Sequence, residues 1–260
     1  MTMAIRHYDD LIRRLERIAE SPSVELERIG EFESGSRTYP MFLMRMGRPS
    51  PGKHSVMIDA GIHGDEPAGV EAALSFMEAN SGNETLLSRC HFVIFPCNNP
   101  TGWELDTREN ADGIDLNREF NARKPAPEAA IISQALQGKC FDLLFEMHED
   151  IDAPGLYLYE ISEDTSSYVG ERIIAAAEAA GCPINRGECI EGLGAKNGLI
   201  RRKTIRFRKT RLPLAIFAYR TCGGHVITME PPVSQLSFED RVRIQLMALA
   251  IALDGVSASG

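Results

Sequence analysis

The sequence predicts an α/β fold, a single domain with a mixed, mainly parallel central β-sheet flanked by helices. Three observations carry that expectation. Short, mostly apolar runs at residues 56–62, 91–97 and 142–147 are bounded by polar or turn residues, as expected of strands buried on both faces. Helical patterns separate these runs. Finally, these three and a fourth run at 226–229 lead into residues that carry chemistry: His63 with Glu66, Asn98 with Asn99, His148, and Glu230. In an open parallel sheet the carboxyl ends of the strands lie along one edge, so such residues can meet in space.

The elements follow in order. Residues 8–19 place Tyr8, Leu11, Ile12, Leu15 and Ile18 on one helical stripe, with charge opposite. Residues 25–29 and 39–46 read as antiparallel strands joined by the polar, glycine-containing 31–37. After the strand at 56–62, Gly64 permits a tight bend and Pro67 suits the first position of a helix continuing through 68–79. The strand at 91–97 runs into Asn98-Asn99-Pro100-Thr101-Gly102, and the chain then stays polar and aperiodic as far as Lys124. An irregular stretch of that length inside a compact domain is usually functional. A helix at 128–136 precedes the strand at 142–147. A strand at 155–161 and an alanine-rich helix at 168–180 come next, and 183–203 is glycine-punctuated without clear pattern. Runs at 214–219 and 226–229 read as strands, the second stopped by Pro231-Pro232, and 238–253 is an amphipathic helix capped by Ser237. No internal repeat or linker divides the chain, so one domain over 1–260 is expected.

The 28 basic and 37 acidic residues give a net charge of −9, which argues against general nucleic-acid binding. One basic stretch, Arg201 to Arg211, stands apart; it reads as a solvated face, or else as a contact for an anionic substrate or partner. No stretch approaches the ~20 apolar residues of a membrane span and the first residues lack a signal-peptide core, so a soluble, cytoplasmic protein is expected. The six cysteines form no C-x-x-C pair and read as reduced and mostly buried.

His63 and Glu66, three residues apart in a turn, can share one zinc ion if another strand end brings a third ligand. Equally, a turn histidine beside an acid at a helix N-terminus is an ordinary structural arrangement. His148 is the candidate third ligand. Two histidines and one carboxylate would leave a fourth zinc position for water, as in catalytic sites.

His63-Gly-Asp-Glu66, Asn99-Pro-Thr-Gly102, Gly113-Ile-Asp-Leu-Asn-Arg118, the strand-terminal His148 and Thr228-Met-Glu230 together resemble, in that order, the zinc carboxypeptidase family. His-Gly-Asp-Glu-Pro-Ala-Gly and the short interval from Glu66 to His148 lean towards the branch with succinylglutamate desuccinylase and aspartoacylase. The resemblance implies the phosphorylase/hydrolase-like fold of that family and one zinc ion per chain, held by His63, Glu66 and His148. It implies further that Asn117 and Arg118 grip a substrate carboxylate, that Arg108 polarises the scissile carbonyl and that Glu230 is the general base. Asp115 would accept a hydrogen bond from the far ring nitrogen of His63. The family's substrate-capping tyrosine has three candidates here, Tyr157, Tyr159 and Tyr219. His225 is a possible pocket residue, whereas His7, His54 and His91 read as structural.

The expected function is that of a metallocarboxypeptidase, hydrolysing the C-terminal amide bond of a small peptide with a zinc-activated water. An N-acyl-amino-acid amidohydrolase shares the metal and the carboxylate grip and is the alternative. An inactive zinc- or ligand-binding protein of the same fold is the third reading. Both enzymatic readings need a substrate with a free carboxylate, which is expected to meet a buried Arg118. Thirty residues follow Glu230, and 238–253 reads as one covering helix, which leaves no obvious lid for a short acyl group and favours the peptidase.

Overall fold

The structure is a computed structural model that describes residues 6–201 and 209–258. Its strands are β1 (Val24–Ser34), β2 (Arg37–Met46), β3 (His54–Ala60), β4 (Cys90–Phe95), β5 (Leu143–Met147), β6 (Tyr157–Ile161), β7 (Cys189–Ile190), β8 (Leu193–Gly194), β9 (Leu199–Arg201) and β10 (His225–Glu230). Its helices are α1 (Tyr8–Ile18), α2 (Pro67–Asn80), α3 (Glu84–Arg89), α4 (Pro100–Leu105), α5 (Pro127–Leu136), α6 (Gly170–Ala179), α7 (Leu214–Cys222) and α8 (Phe238–Ala258).

Eight strands form one mixed sheet in the order β1-β2-β4-β3-β5-β10-β6-β9, and β7 pairs with β8 in a small separate hairpin. The central strands β4, β3, β5 and β10 are parallel neighbours, and the carboxyl ends that carry the predicted residues therefore share one edge. Strands β2 and β6 flank this group in antiparallel pairing. Helices cover both faces. Alternation along β5 turns Met147 towards α2, where a Cβ on Gly69 would collide with the Met147 carbonyl, and turns Glu146 and His148 to the opposite face, beside α7. α2 packs on α8, and α8 on α6. The central strand cores are sealed: Val56, Met57, Ile58, Leu143, Phe145, Val226 and Ile227 are all buried. Each such side chain contributes roughly 1.5–3 kcal/mol by leaving water.

The structure departs from the sequence reading in four places. Residues 214–219, expected as a strand, are the start of α7. An apolar run of six residues does not distinguish strand from buried helix, and Leu214, Ile216 and Ala218 are buried with their neighbours less so, which imitates a strand. The segment 31–37 is mostly strand, because β1 continues to Ser34 through a register shift after Arg28 and only Gly35 and Ser36 form the turn. The polar stretch after Asn99 contains α4, capped by the Asn99 side chain, and a 3-10 turn at Leu116–Arg118, capped by Asp115. Finally, α3 and the short strands β7 to β9 occupy stretches left unassigned.

The cysteines are free, four of them buried, with Cys140 and Cys189 exposed. Within the basic stretch, Arg201 is ion-paired with Glu160 and Glu171, and Arg211 with Glu119 at 3.0 Å. Residues 202–208 lie outside the described residues. No described helix is long and apolar enough to cross a membrane.

Candidate active site

The turn between β3 and α2 is built by two interlocked motifs. A Cβ on Gly64 would fall inside the Gly102 carbonyl group, so the His63-Gly-Asp-Glu66 turn lies directly on the Asn99-Pro-Thr-Gly102 turn. The requirement for glycine at 64 is this backbone proximity rather than a left-handed bend. The buried Asn99 side chain joins the parts: Oδ1 accepts from Gly102 N at 2.9 Å, and Nδ2 donates to the carbonyls of Ile62 and Arg108, each at 3.4 Å. Pro67 stands at the first turn of α2, which leaves Glu66 as its N-terminal flanking residue.

Ligand atoms of His63, Glu66 and His148 lie within 4.8 Å of one another, and all three residues are buried. Glu66 sits between the rings, its Oε1 2.5 Å from His63 Nδ1 and its Oε2 2.8 Å from His148 Nδ1. His63 Nε2 faces Asp115 Oδ1 at 3.3 Å, the outer hydrogen bond predicted for it. Asp115 also accepts from Arg108 Nη2 at 3.2 Å and from Asn117 N at 2.9 Å. His148 is anchored from behind, where Gln245 of α8 donates to its carbonyl at 2.6 Å.

The electrostatics suit a cation. Burial opposes protonation of His63, yet Glu66 and Asp115 outweigh it and lift its pKa to about 9. His148 is raised in the same way, against burial, chiefly by Glu66. Glu66 itself is buried but is held down to about 2 by the two imidazoles. A site that draws a proton between these donors also draws a divalent metal ion, and two imidazoles with one carboxylate are a donor set that zinc accepts.

A cavity of about 620 Å³ opens over these ligands and is also lined by Arg108, Asn117, Arg118, Tyr157, Tyr159 and Glu230. Every site residue predicted from sequence therefore borders one cavity, except Asp115, which reaches it through His63 and Arg108. Arg108 places Nη1 3.4 Å from His63 Nδ1 and 3.8 Å from Glu66 Oε1. Asn117 accepts from Leu214 N at 2.8 Å through Oδ1, and its amide nitrogen donates to nothing among the described residues. Arg118 is exposed rather than buried as expected, and its Nη1 donates to the Asn117 carbonyl.

Glu230 ends β10 directly opposite Tyr157. Burial raises its pKa well above the ordinary carboxylate range, with His148 pulling the other way. The neighbouring acids are engaged elsewhere. Glu149 pairs with Arg241 and accepts from Ala68 N, and Asp150 accepts from Tyr157 Oη at 2.8 Å. Of the three tyrosine candidates, Tyr157 and Tyr159 line the cavity and Tyr219 does not. His225 does not line it either. It is buried at the start of β10, 3.1 Å from Glu160. A second cavity, of about 630 Å³ beside α6 and β9, holds none of the predicted site residues.

Sequence reasoning missed the cavity floor. One pleat below the strand ends, Asp59, Glu146, Thr228, Tyr159 and Ile200 are register partners in a single row across β3, β5, β10, β6 and β9. All but Asp59 line the cavity. The signal was present in part, since counting back two residues from His148 and from Glu230 gives Glu146 and Thr228 on the same face.

Comparison with known proteins gives a consistent result. The family profile described as zinc carboxypeptidase matches residues 15–138. Murein peptide amidase A of Escherichia coli is 35% identical over 98 residues, which span 36% of this chain and 38% of that relative. The chain thus aligns with well under half of the relative's length. Among solved structures, a protein of Shewanella baltica assigned as a metallopeptidase superposes with a TM-score of 0.80 at 23% identity, covering 95% of this chain and 91% of the other. Carboxypeptidase A of Helicoverpa armigera gives 0.74 at 15% identity, covering 98% and 74%. Those identities speak for the fold, and the profile match speaks for the ancestry. Together with a His-Glu-His set able to hold a metal ion, they make the chain a zinc hydrolase with the fold of the zinc carboxypeptidases, a family whose profile covers just under half of it.

Proposed function

We propose that the protein is a metallocarboxypeptidase that hydrolyses the C-terminal amide bond of a small peptide with a free terminal carboxylate. The observation that carries this reading is the meeting, in one cavity, of the three donors with Glu230, Arg108, Asn117 and Arg118. His63, Glu66 and His148 hold one zinc ion, which when bound polarises a carbonyl and acidifies a coordinated water.

The chain's own residues supply the rest. Arg118, with its planar fork, and the Asn117 amide nitrogen bind the terminal carboxylate and set the register of the peptide. Arg108 is a permanent cation beside the ligand set, placed where negative charge develops on the scissile oxygen. Glu230 takes the proton of the attacking water and delivers it to the leaving amine. Its burial supports this role, because a carboxyl group whose pKa is raised by desolvation holds the proton more readily before passing it on. Asp115 fixes the ring of His63 and the guanidinium of Arg108 at once.

The related murein peptide amidase A is named for a peptide amide, which favours a peptide over an N-acyl amino acid as substrate. Incubating the zinc-loaded protein with unblocked tripeptides and following release of the C-terminal residue tests the proposal. Release of that residue alone supports it, and intact tripeptides refute it.

A further inference from the structure

The row beneath the reacting groups carries an acid that the proposed mechanism does not use. Glu146 is 2% exposed yet lines the cavity. Its Oε2 accepts from Thr228 Oγ1 at 2.6 Å, while its buried Oε1 has no hydrogen-bond partner. Glu146 forms no ion pair among the described residues. Its neighbour in the row, Asp59, is closed off from the cavity and brings a second carboxyl group, again with one oxygen unpartnered. Two acids side by side in an apolar sheet, with no lysine or arginine against them among the described residues, form an environment that a cation would complete.

The position fits the leaving residue's side chain. The floor lies two residues below the strand ends, or about 7 Å, roughly the reach of a three- or four-methylene stem. Ile161, Ile200, Leu193, Ala215 and Ile216 supply apolar wall for such a stem. At the mouth, the exposed Glu191 adds negative charge beside Tyr159.

We infer that Glu146 is the specificity-determining residue of this pocket, reading the terminal ammonium of a leaving residue that is a basic amino acid such as lysine or ornithine. The ammonium donates to Glu146 Oε1, and Thr228 holds Oε2 so that the carboxylate stays aimed. The inference rests on the carboxypeptidase reading for the orientation of the substrate.

The test compares zinc-loaded protein on Ala-Ala-Lys, Ala-Ala-ornithine and Ala-Ala-norleucine, the last matching lysine in its stem but lacking its charge. The expected kcat/KM for the basic residues exceeds that for norleucine by about tenfold or more, a factor in the range of a charge-assisted hydrogen bond, and Glu146→Gln brings the ratio towards one. A wild-type ratio at or below one overturns the inference, as it would if Asp59 and Glu146 simply share a proton and offer no charge. So does a Glu146→Gln protein that keeps the wild-type ratio, or a ratio that collapses in Glu191→Gln instead. If Glu146→Gln fails to fold, Thr228→Val replaces it, with a smaller fall expected and an unchanged ratio contradicting the proposal. Should no tripeptide be cleaved, calorimetric titration with free lysine and free norleucine separates the two claims. Tighter lysine binding that Glu146→Gln or Thr228→Val weakens upholds the pocket assignment while the peptidase reading falls, and equal affinities reject the assignment.

Discussion

Gly64 and Gly102 meet backbone to backbone, so that the turn bearing His63 and Glu66 rests directly on the turn that leads to Arg108. The contact couples the candidate metal ligands to the residues that would handle substrate, and no side chain fits between them. Gly64→Ala is therefore expected to cost about 1–3 kcal/mol or more through overpacking, and to lower zinc content as well as the melting temperature. Thermal unfolding with metal analysis checks this, and a variant with unchanged Tm and full zinc would show that the two turns separate easily.

The same ligand geometry predicts a proton balance. In the metal-free protein His63 has its pKa raised to about 9, against burial, by Glu66 and Asp115. Raised above its unfolded value of about 6.5, it stabilises the metal-free fold fully below that pH, and the contribution is lost as pH rises through about 9. Near pH 7 the site is protonated, so zinc binding expels protons and weakens as pH falls. Zinc titrations in buffers of different ionisation enthalpy are expected to show heats that vary with the buffer. Buffer-independent heats would mean that His63 is already neutral. His148→Ala is expected to lose zinc and activity together, and full occupancy in that variant would remove His148 from the ligand set.

For Glu230 the expected signature is a split between binding and turnover. Glu230→Gln retains zinc and substrate affinity and lowers kcat by roughly 10²–10⁴. Near-normal kcat would assign proton transfer to another group, although Glu149 and Asp150 are already committed to Arg241 and Tyr157.

Amidating the terminal carboxylate of a substrate probes Arg118 and Asn117. Because Arg118 is exposed, water can replace the lost partner. The expected penalty is about 1.5–3 kcal/mol for charge-assisted hydrogen bonds, or roughly 10–100-fold in kcat/KM. Equal rates on the acid and the amide would place the carboxylate grip elsewhere.

Much of this architecture was legible in the chain. The buried parallel strands announce themselves as bounded apolar runs, and the residues that follow them locate the candidate metal site because parallel topology brings strand ends together. The stretch 214–219 misled because a six-residue apolar run has no period that separates a strand from a buried helix. The helical signals lay in its flanks, Pro213 ahead of it and Gly223, at φ 73°, behind it. His63 and Glu66 were readable as candidate ligands because one motif holds them three residues apart, and His148 because it directly follows a buried strand. Glu146 was not, because its meaning depends on Thr228 and Tyr159, 82 and 13 positions away, becoming its companions across the sheet. The burial of Arg118 was misjudged because exposure belongs to the shape of the cavity mouth and leaves no mark in the motif.

The central claim is that the cavity acts on the C-terminal residue of a peptide. The most direct measurement is kcat/KM of the zinc-loaded protein for unblocked peptides set against N-acetyl and N-succinyl amino acids bearing the same leaving residue. The peptidase account predicts faster cleavage of the peptides, with free C-terminal residue as the product. Faster cleavage of the acylated amino acids would contradict it and make the protein an N-acyl-amino-acid amidohydrolase.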